Sequence, residues 1–202
     1  MRDQKGSGSP ITVVWPGRSY AADVRRVLVT GMSGTGKSSA LVELSKLGFQ
    51  VVDTDEPGWT EWSDSEDGFV WREDRIADLL ARKGGPSLYV SGTVSNQGRF
   101  YRRFDEIVLL SAPAEVLLRR IEARTTNSYG KTPEQRERIL RDLAEVEPRL
   151  RRTCTVEIDA AQPLVNIVNH LAELGCEPDR KGASARSSFD DRAAAALVRK
   201  RK

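Results

Sequence analysis

The chain is poor in the side chains from which many reactive centres are built. One histidine, His170, and two cysteines, Cys154 and Cys176, stand in 202 residues. His170 falls on a late helical stretch, so neither a Ser/His/Asp triad nor a zinc cluster is in prospect, and the two cysteines lack metal-site spacing. We read both as small apolar residues, since a disulfide framework would be unusual in a reducing compartment. Long apolar runs are missing too, and no charged-then-apolar leader opens the sequence; no membrane span is expected, and the cytoplasm is the default location.

A strong charge imbalance is also absent once its location is considered. The formal net charge is +3, but residues 177–202 hold eight Lys/Arg against four Asp/Glu. The remaining body is close to neutral, with 24 basic and 25 acidic residues, and offers no global field to a polyanion. This argues against nucleic acid as a partner and predicts a solvated, disordered tail.

What is present is concentrated. Residues Gly31-Met32-Ser33-Gly34-Thr35-Gly36-Lys37-Ser38 follow the apolar run Val27-Leu28-Val29 and precede the helix-forming stretch Ser39 to Leu44. A loop that ends a buried strand and opens a helix aims backbone N–H groups and the positive helix end at one anion. The binding set is Gly31, Ser33, Gly34, Thr35, Gly36, Lys37, Ser38 and Ser39. Lys37 can reach the terminal phosphates of a nucleoside triphosphate and the Ser38 hydroxyl can ligate Mg²⁺. The pattern implies a nucleoside triphosphate with Mg²⁺.

Short β-branched runs alternate with helical periods from Val27 onward, the signature of an α/β parallel sheet covered by helices. Strands are predicted at 26–30, 50–53, 88–91, 106–110 and 155–159, and helices at 37–47, 71–82, 96–103, 114–124, 133–151 and 163–174. Residues 1–24 read as an extension, Gly/Ser-rich and disordered at first, with a short edge strand possible within 11–24. One domain over 25–176 and a basic tail over 177–202 complete the division.

In a parallel sheet the carboxyl ends of the strands form the ligand-binding edge, which places Asp53 and Asp55 beside the phosphate loop. One carboxylate can help hold Mg²⁺ and one can accept the proton of an attacking hydroxyl. Trp59, Trp62 and Trp71 stand among Glu56, Glu61, Asp64, Glu66 and Asp67; they line an acceptor pocket or pack a helix-turn lid onto the core. Ser91-Gly92 closes the third strand where an acid would ordinarily orient the metal, and Gly92 leaves room for substrate. Asn96 or Gln97 caps the next helix or bonds the acceptor. Arg120 and Arg124, four apart on one helical face, lead into the polar segment 124–132 and can neutralise transferring phosphoryl charge from a closing lid. Arg149, Arg151 and Arg152 are weaker candidates.

In this order of parts the chain resembles the small P-loop kinases of the shikimate kinase, gluconate kinase and nucleoside monophosphate kinase superfamily. The resemblance rests on GMSGTGKS, on VDTD at the second strand, on the glycine after strand three, on LLRRIEART before the lid and on IDAAQP after the last strand. It implies a three-layer P-loop NTPase fold, with a five-stranded parallel sheet of order 2-3-1-4-5 and a lid at about 124–132. Lys37 would bind phosphate, Ser38 would bind Mg²⁺, and Asp53 or Asp55 would face acceptor and metal. Arg120 or Arg124 would be the lid arginine, and Asp159 to Pro163 would border the adenine.

The chain also departs from that superfamily. It has Ser91-Gly92-Thr93 where shikimate kinase has three glycines, no arginine soon after the second-strand acids, and no Asp-Gly-Phe-Pro-Arg pattern. The implied activity is transfer of the γ-phosphoryl group of ATP to a hydroxyl of a small acceptor, such as a polyol, sugar acid or nucleoside. A nucleoside or nucleoside monophosphate kinase and a regulatory nucleotide-binding ATPase without such an acceptor are the alternatives.

Overall fold

The computed structural model describes residues 24–125 and 127–176. The possible edge strand within 11–24, apart from Val24, and the basic tail lie outside them. Val24 itself is buried in the core, one residue before the expected domain start.

The chain runs β1 (Arg26–Thr30), α1 (Lys37–Lys46), β2 (Gln50–Asp53), β3 (Thr60–Ser63), β4 (Gly68–Trp71), α2 (Glu73–Ala81) and β5 (Leu88–Ser91). A 3-10 helix, Ser95–Arg103, then leads to β6 (Glu106–Ser111), α3 (Ala114–Ala123), α4 (Pro133–Glu145), α5 (Glu147–Thr153), β7 (Val156–Asp159) and α6 (Leu164–Cys176). The main sheet has the order β2-β5-β1-β6-β7 and every pairing in it is parallel. With the β3–β4 hairpin left aside, this is the expected 2-3-1-4-5 arrangement.

Side-chain alternation along the strands divides the core into two layers. Val27 and Val29 of β1 and Tyr89 of β5 join a cluster with Ala40, Leu44 and Leu171 on one face. Leu28, Leu88 and Val90 point to the other face, against Trp71, Ile76, Leu79 and Phe100. Helices therefore cover both faces of the sheet, which gives three layers.

Three elements differ from the sequence reading. Residues 60–71 form an antiparallel hairpin, with Thr60 opposite Trp71 and Ser63 opposite Gly68, so α2 begins at Glu73 rather than at Trp71. The reading of a helix-turn lid is thereby corrected: a four-residue turn, in which Asp67 adopts φ 46°, folds Gly68–Trp71 back onto Thr60–Ser63. The helix expected over 133–151 is two helices, because Pro148 has no N–H to continue the ladder, and the chain breaks at Val146. The segment at 95–103 is 3-10, not α.

Register aligns the strand ends that matter. Asp53 and Val29 both lie opposite Ser91, so the exits of β2, β5 and β1 open at one edge of the sheet.

Candidate active site

The phosphate loop occupies that edge, between β1 and α1. Gly34 takes φ 90°, and a Cβ there would stand 2.9 Å from the Leu117 carbonyl oxygen and 3.1 Å from Ile121. Gly31 is tighter: its added Cβ would meet the Leu110 carbonyl oxygen at 2.3 Å. Both glycines are dictated by close approach of α3 and β6 to the loop. Gly36, at φ 94°, is the N-cap of α1, and no side chain caps that helix. Its first-turn amides are thus left for an anion, with Ser38 and Ser39 exposed on the same turn.

Within the loop, Thr35 Oγ1 donates to the Met32 carbonyl at 2.9 Å. Lys37 Nζ donates to the Gly31 carbonyl at 2.7 Å and, more weakly, to that of Met32 at 3.4 Å. Burial lowers the Lys37 ammonium below the usual lysine range; Asp55 and Asp53 oppose that shift and Arg124 adds to it. Burial raises the Asp55 carboxyl, with Lys37 pulling the other way and Asp53 pushing with it. The Asp55 side chain is exposed at the mouth of the site.

A cavity of about 1100 Å³ opens over the loop. All eight residues of the expected binding set line it, and so do Asp55, Arg120 and Arg124. Asp53 does not. It stands half-buried at the end of β2, where its carboxylate accepts from the Asp55 backbone N–H at 3.2 Å and so orients the second acid.

Arg120 and Arg124 converge by a route other than the one expected. α3 ends at Ala123 and Arg124 is its extended C-cap, at φ −70° and ψ 145°, so the two do not share a helical face. Arg124 instead turns back over the loop, donating to the Tyr129 carbonyl at 2.6 Å and to Ser33 Oγ at 3.4 Å. The segment 124–132 joins α3 to α4, and Lys131 Nζ ties it down by donating to the carbonyls of Ile121, Glu122 and Arg124 at 2.6–2.8 Å. Those carbonyls are among the acceptors that a helix end leaves without partners.

Several other expectations are redistributed. Gly92 does not make room for substrate: a Cβ there would stand 2.1 Å from Thr54 Oγ1 and 3.2 Å from the Trp71 ring. Thr54 Oγ1 donates to the Ser91 carbonyl at 2.7 Å and accepts from Trp71 Nε1 at 2.8 Å, so protein fills the space. Asn96 and Gln97 are buried and structural. The Asn96 amide bridges the backbone N–H and carbonyl of Trp71, while Gln97 bonds Tyr101, Thr30 and the Val94 backbone. Arg149 lines the cavity, whereas Arg151 pairs with Glu147 and Glu157 and Arg152 bonds the Pro148 carbonyl. Asp159 is committed to the Ala161 N–H at 2.8 Å, and Leu164 and Ile167 line the cavity in place of residues 159–163.

The sequence reading missed Thr93. Its hydroxyl bonds the backbone N–H and carbonyl of Gly31, at 3.2 and 3.0 Å, and so fastens the start of the phosphate loop to the end of β5. It also missed how the tryptophans divide. Trp71 is fully buried, Trp59 packs partly against the core, and Trp62 is exposed, stacked edge-to-face on Phe69 at 5.5 Å.

Comparison with known proteins bears on the fold. A family described as AAA domain matches residues 27–141. Among solved structures, the fold is similar to shikimate kinase from Acinetobacter baumannii in complex with shikimate, at 19% identity and TM-score 0.55, covering 75% of this chain and 92% of that one. It is similar also to shikimate kinase from Bacteroides thetaiotaomicron, at 18% identity and TM-score 0.56, covering 76% and 98%. No curated protein matches the sequence. The architecture is therefore that of the P-loop kinases. Among the described residues, no helix is long and apolar enough to cross a membrane.

Proposed function

We propose, for a chain that belongs to the AAA domain family through residues 27–141, an ATP-dependent phosphotransferase that moves the γ-phosphoryl group to a hydroxyl of a small molecule in the cytoplasm. One observation carries the reading: an uncapped helix N-terminus and its glycine loop open into a cavity that also receives Asp55, Arg120 and Arg124. A carboxylate facing the phosphate loop is placed to take the proton of an attacking hydroxyl or to help hold Mg²⁺.

The residues divide the work. The loop amides and Lys37 bind the phosphates, and the Lys37 ammonium exchanges the Gly31 carbonyl for a phosphate oxygen. Arg124 likewise trades the Tyr129 carbonyl for phosphoryl charge, with Arg120 beside the same cavity. Asp55 accepts the proton of the acceptor hydroxyl, and a pKa raised above the ordinary carboxylate range makes it a better base than an unperturbed aspartate. Asp53 holds the backbone of Asp55 in place.

Among the described residues no group of three or more His, Cys, Asp or Glu side chains could hold a metal unaided. That suits Mg²⁺ held by Ser38, Asp53 or Asp55 together with phosphate oxygens, since this ion favours a few protein ligands plus substrate. When bound it would neutralise charge on the phosphates.

The test is Lys37→Ala with a panel of hydroxylated acceptors. Acceptor-stimulated ADP release that falls roughly 10²–10³-fold in the variant supports the reading. ATP binding by the wild type with no acceptor stimulation from any compound would favour the regulatory ATPase alternative. A nucleoside acceptor is the second reading, favoured by Phe69, whose ring lines the cavity and could stack a base.

A further inference from the structure

We infer, resting on the reading of Lys37 as the phosphate-binding ammonium, that Thr93 is its positioning residue: by fixing the Gly31 peptide, Thr93 sets where the Lys37 ammonium stands. Among the described residues no hydrogen bond joins the two side chains; both bond Gly31. The need begins with that glycine. Gly31 takes φ 144°, and an added Cβ would stand 2.3 Å from the Leu110 carbonyl oxygen, so only glycine fits there. A glycine has the freest backbone of any residue and no side chain to pin it, so its carbonyl has to be aimed from outside.

Thr93 supplies the aim. The Gly31 carbonyl takes two hydrogen bonds, from Lys37 Nζ at 2.7 Å and from Thr93 Oγ1 at 3.0 Å, which use both of its lone pairs. Thr93 Oγ1 also accepts from the Gly31 N–H at 3.2 Å, so one hydroxyl holds the peptide planes on both sides of the glycine. The hydroxyl proton has a defined direction. Gln97 Nε2 donates to Thr30 Oγ1 at 3.4 Å, which frees the Thr30 proton for Thr93 Oγ1 at 3.0 Å and leaves the Thr93 proton for the Gly31 carbonyl. Thr30 and Gln97 are fully buried, so water does not compete for that chain of bonds.

Lys37 needs such a seat because its charge sits on a long flexible stem. Among the described residues its hydrogen bonds run only to the carbonyls of Gly31 and, at 3.4 Å, Met32. When the Gly31 carbonyl is free to turn, the shorter of the two is lost and the ammonium spreads over several positions, few of which meet a phosphate.

The experiment titrates the full chain with ATP and Mg²⁺, by displacement of a fluorescent ATP analogue, in the wild type, Thr93→Val, Thr93→Ser, Lys37→Met and the Thr93→Val, Lys37→Met pair. Folding is checked by thermal unfolding, and Thr93→Ala replaces Thr93→Val if the latter does not fold. Loss of one charge-assisted hydrogen bond predicts ATP affinity about tenfold lower in Thr93→Val, while Thr93→Ser, which keeps the hydroxyl, stays within about threefold of the wild type. With Lys37→Met already in place, Thr93→Val should change the affinity less than about twofold, because no ammonium is left to position. An equal loss with and without Lys37 would mean that Thr93 only braces the loop, and it overturns the inference; so does an unchanged affinity in Thr93→Val, or a Thr93→Ser variant as weak as Thr93→Val. Where Lys37→Met binds too weakly to titrate, NMR of the Lys37 Nζ protons in the ATP-free chain decides: a signal protected from exchange with water in the wild type and lost in Thr93→Val is expected, and the same result in both overturns the inference. No acceptor enters these measurements, so a failure to phosphorylate any compound counts against the phosphotransferase alone, whereas a wild type that does not bind ATP removes both.

Discussion

The two walls of the cavity are built by different means. On the phosphate-loop side, position is fixed by the backbone: glycines pressed against Leu110 and Leu117, a Lys37 bond to a carbonyl, and Thr93 holding both polar groups of Gly31. On the hairpin side, position is fixed by side chains packed behind the wall, with Trp71 buried between Thr54, Gly92 and Phe100. The first wall tolerates little change because there is no room for a Cβ. The second tolerates change at its exposed face, where Trp62 and Phe69 sit, but not at its root. On the proposed reading the first wall meets a phosphate, always the same shape, and the second an acceptor specific to each enzyme, and the two forms of construction match that difference.

Substitution can separate the two walls. The largest loss is expected at the root of the hairpin: Trp71→Ala empties a fully buried site and should cost about 3–5 kcal/mol in denaturant unfolding. Gly92→Ala inserts a Cβ at 2.1 Å from Thr54 Oγ1 and should cost about 1–3 kcal/mol by overpacking, with KM for the acceptor raised more than KM for ATP. Equal effects on the two KM values would mean that the walls are one unit. Thr93→Val removes the tie between β5 and the loop; about 1 kcal/mol of stability and a higher KM for ATP are expected, with acceptor KM unmoved.

A pH profile sharpens the comparison without altering the fold. On the proposed reading Asp55 works in its ionised form, and its raised pKa displaces the acid limb of kcat/KM upward from the ordinary carboxylate range. On the same reading Lys37 holds phosphate as the ammonium, and its lowered pKa brings the alkaline limb down from the ordinary lysine range. Lys37→Arg should move the alkaline limb up and leave the acid limb where it is; movement of both would deny the assignment.

The legible part of the molecule was the part governed by local rules. The octapeptide at 31–38, flanked by an apolar strand and a helix, carries its own context, and all five strands of the main sheet fell where β-branched runs predicted them. The hairpin was not legible, because Thr60–Ser63 and Gly68–Trp71 are four-residue strands in which buried and exposed residues do not alternate. Arg120 and Arg124 both line the cavity, but not by the shared helix face that their spacing suggested: α3 stops before Arg124 and the chain turns it over the phosphate loop. Thr93 gave no signal at all, since a lone threonine after a strand has no local feature that says it will reach across to Gly31. Gly92 was misread because a missing side chain looks the same in sequence whether ligand or protein takes its place.

Thr54, Trp71 and Gly92 come from three separate stretches of chain, yet one hydroxyl, one indole and one absent Cβ occupy a single volume. For a lineage drifting in sequence they form one inherited character: a side chain gained at position 92 is viable only alongside a smaller ring at 71 or a lost hydroxyl at 54. Among descendants of this chain, those three positions should therefore change together or not at all.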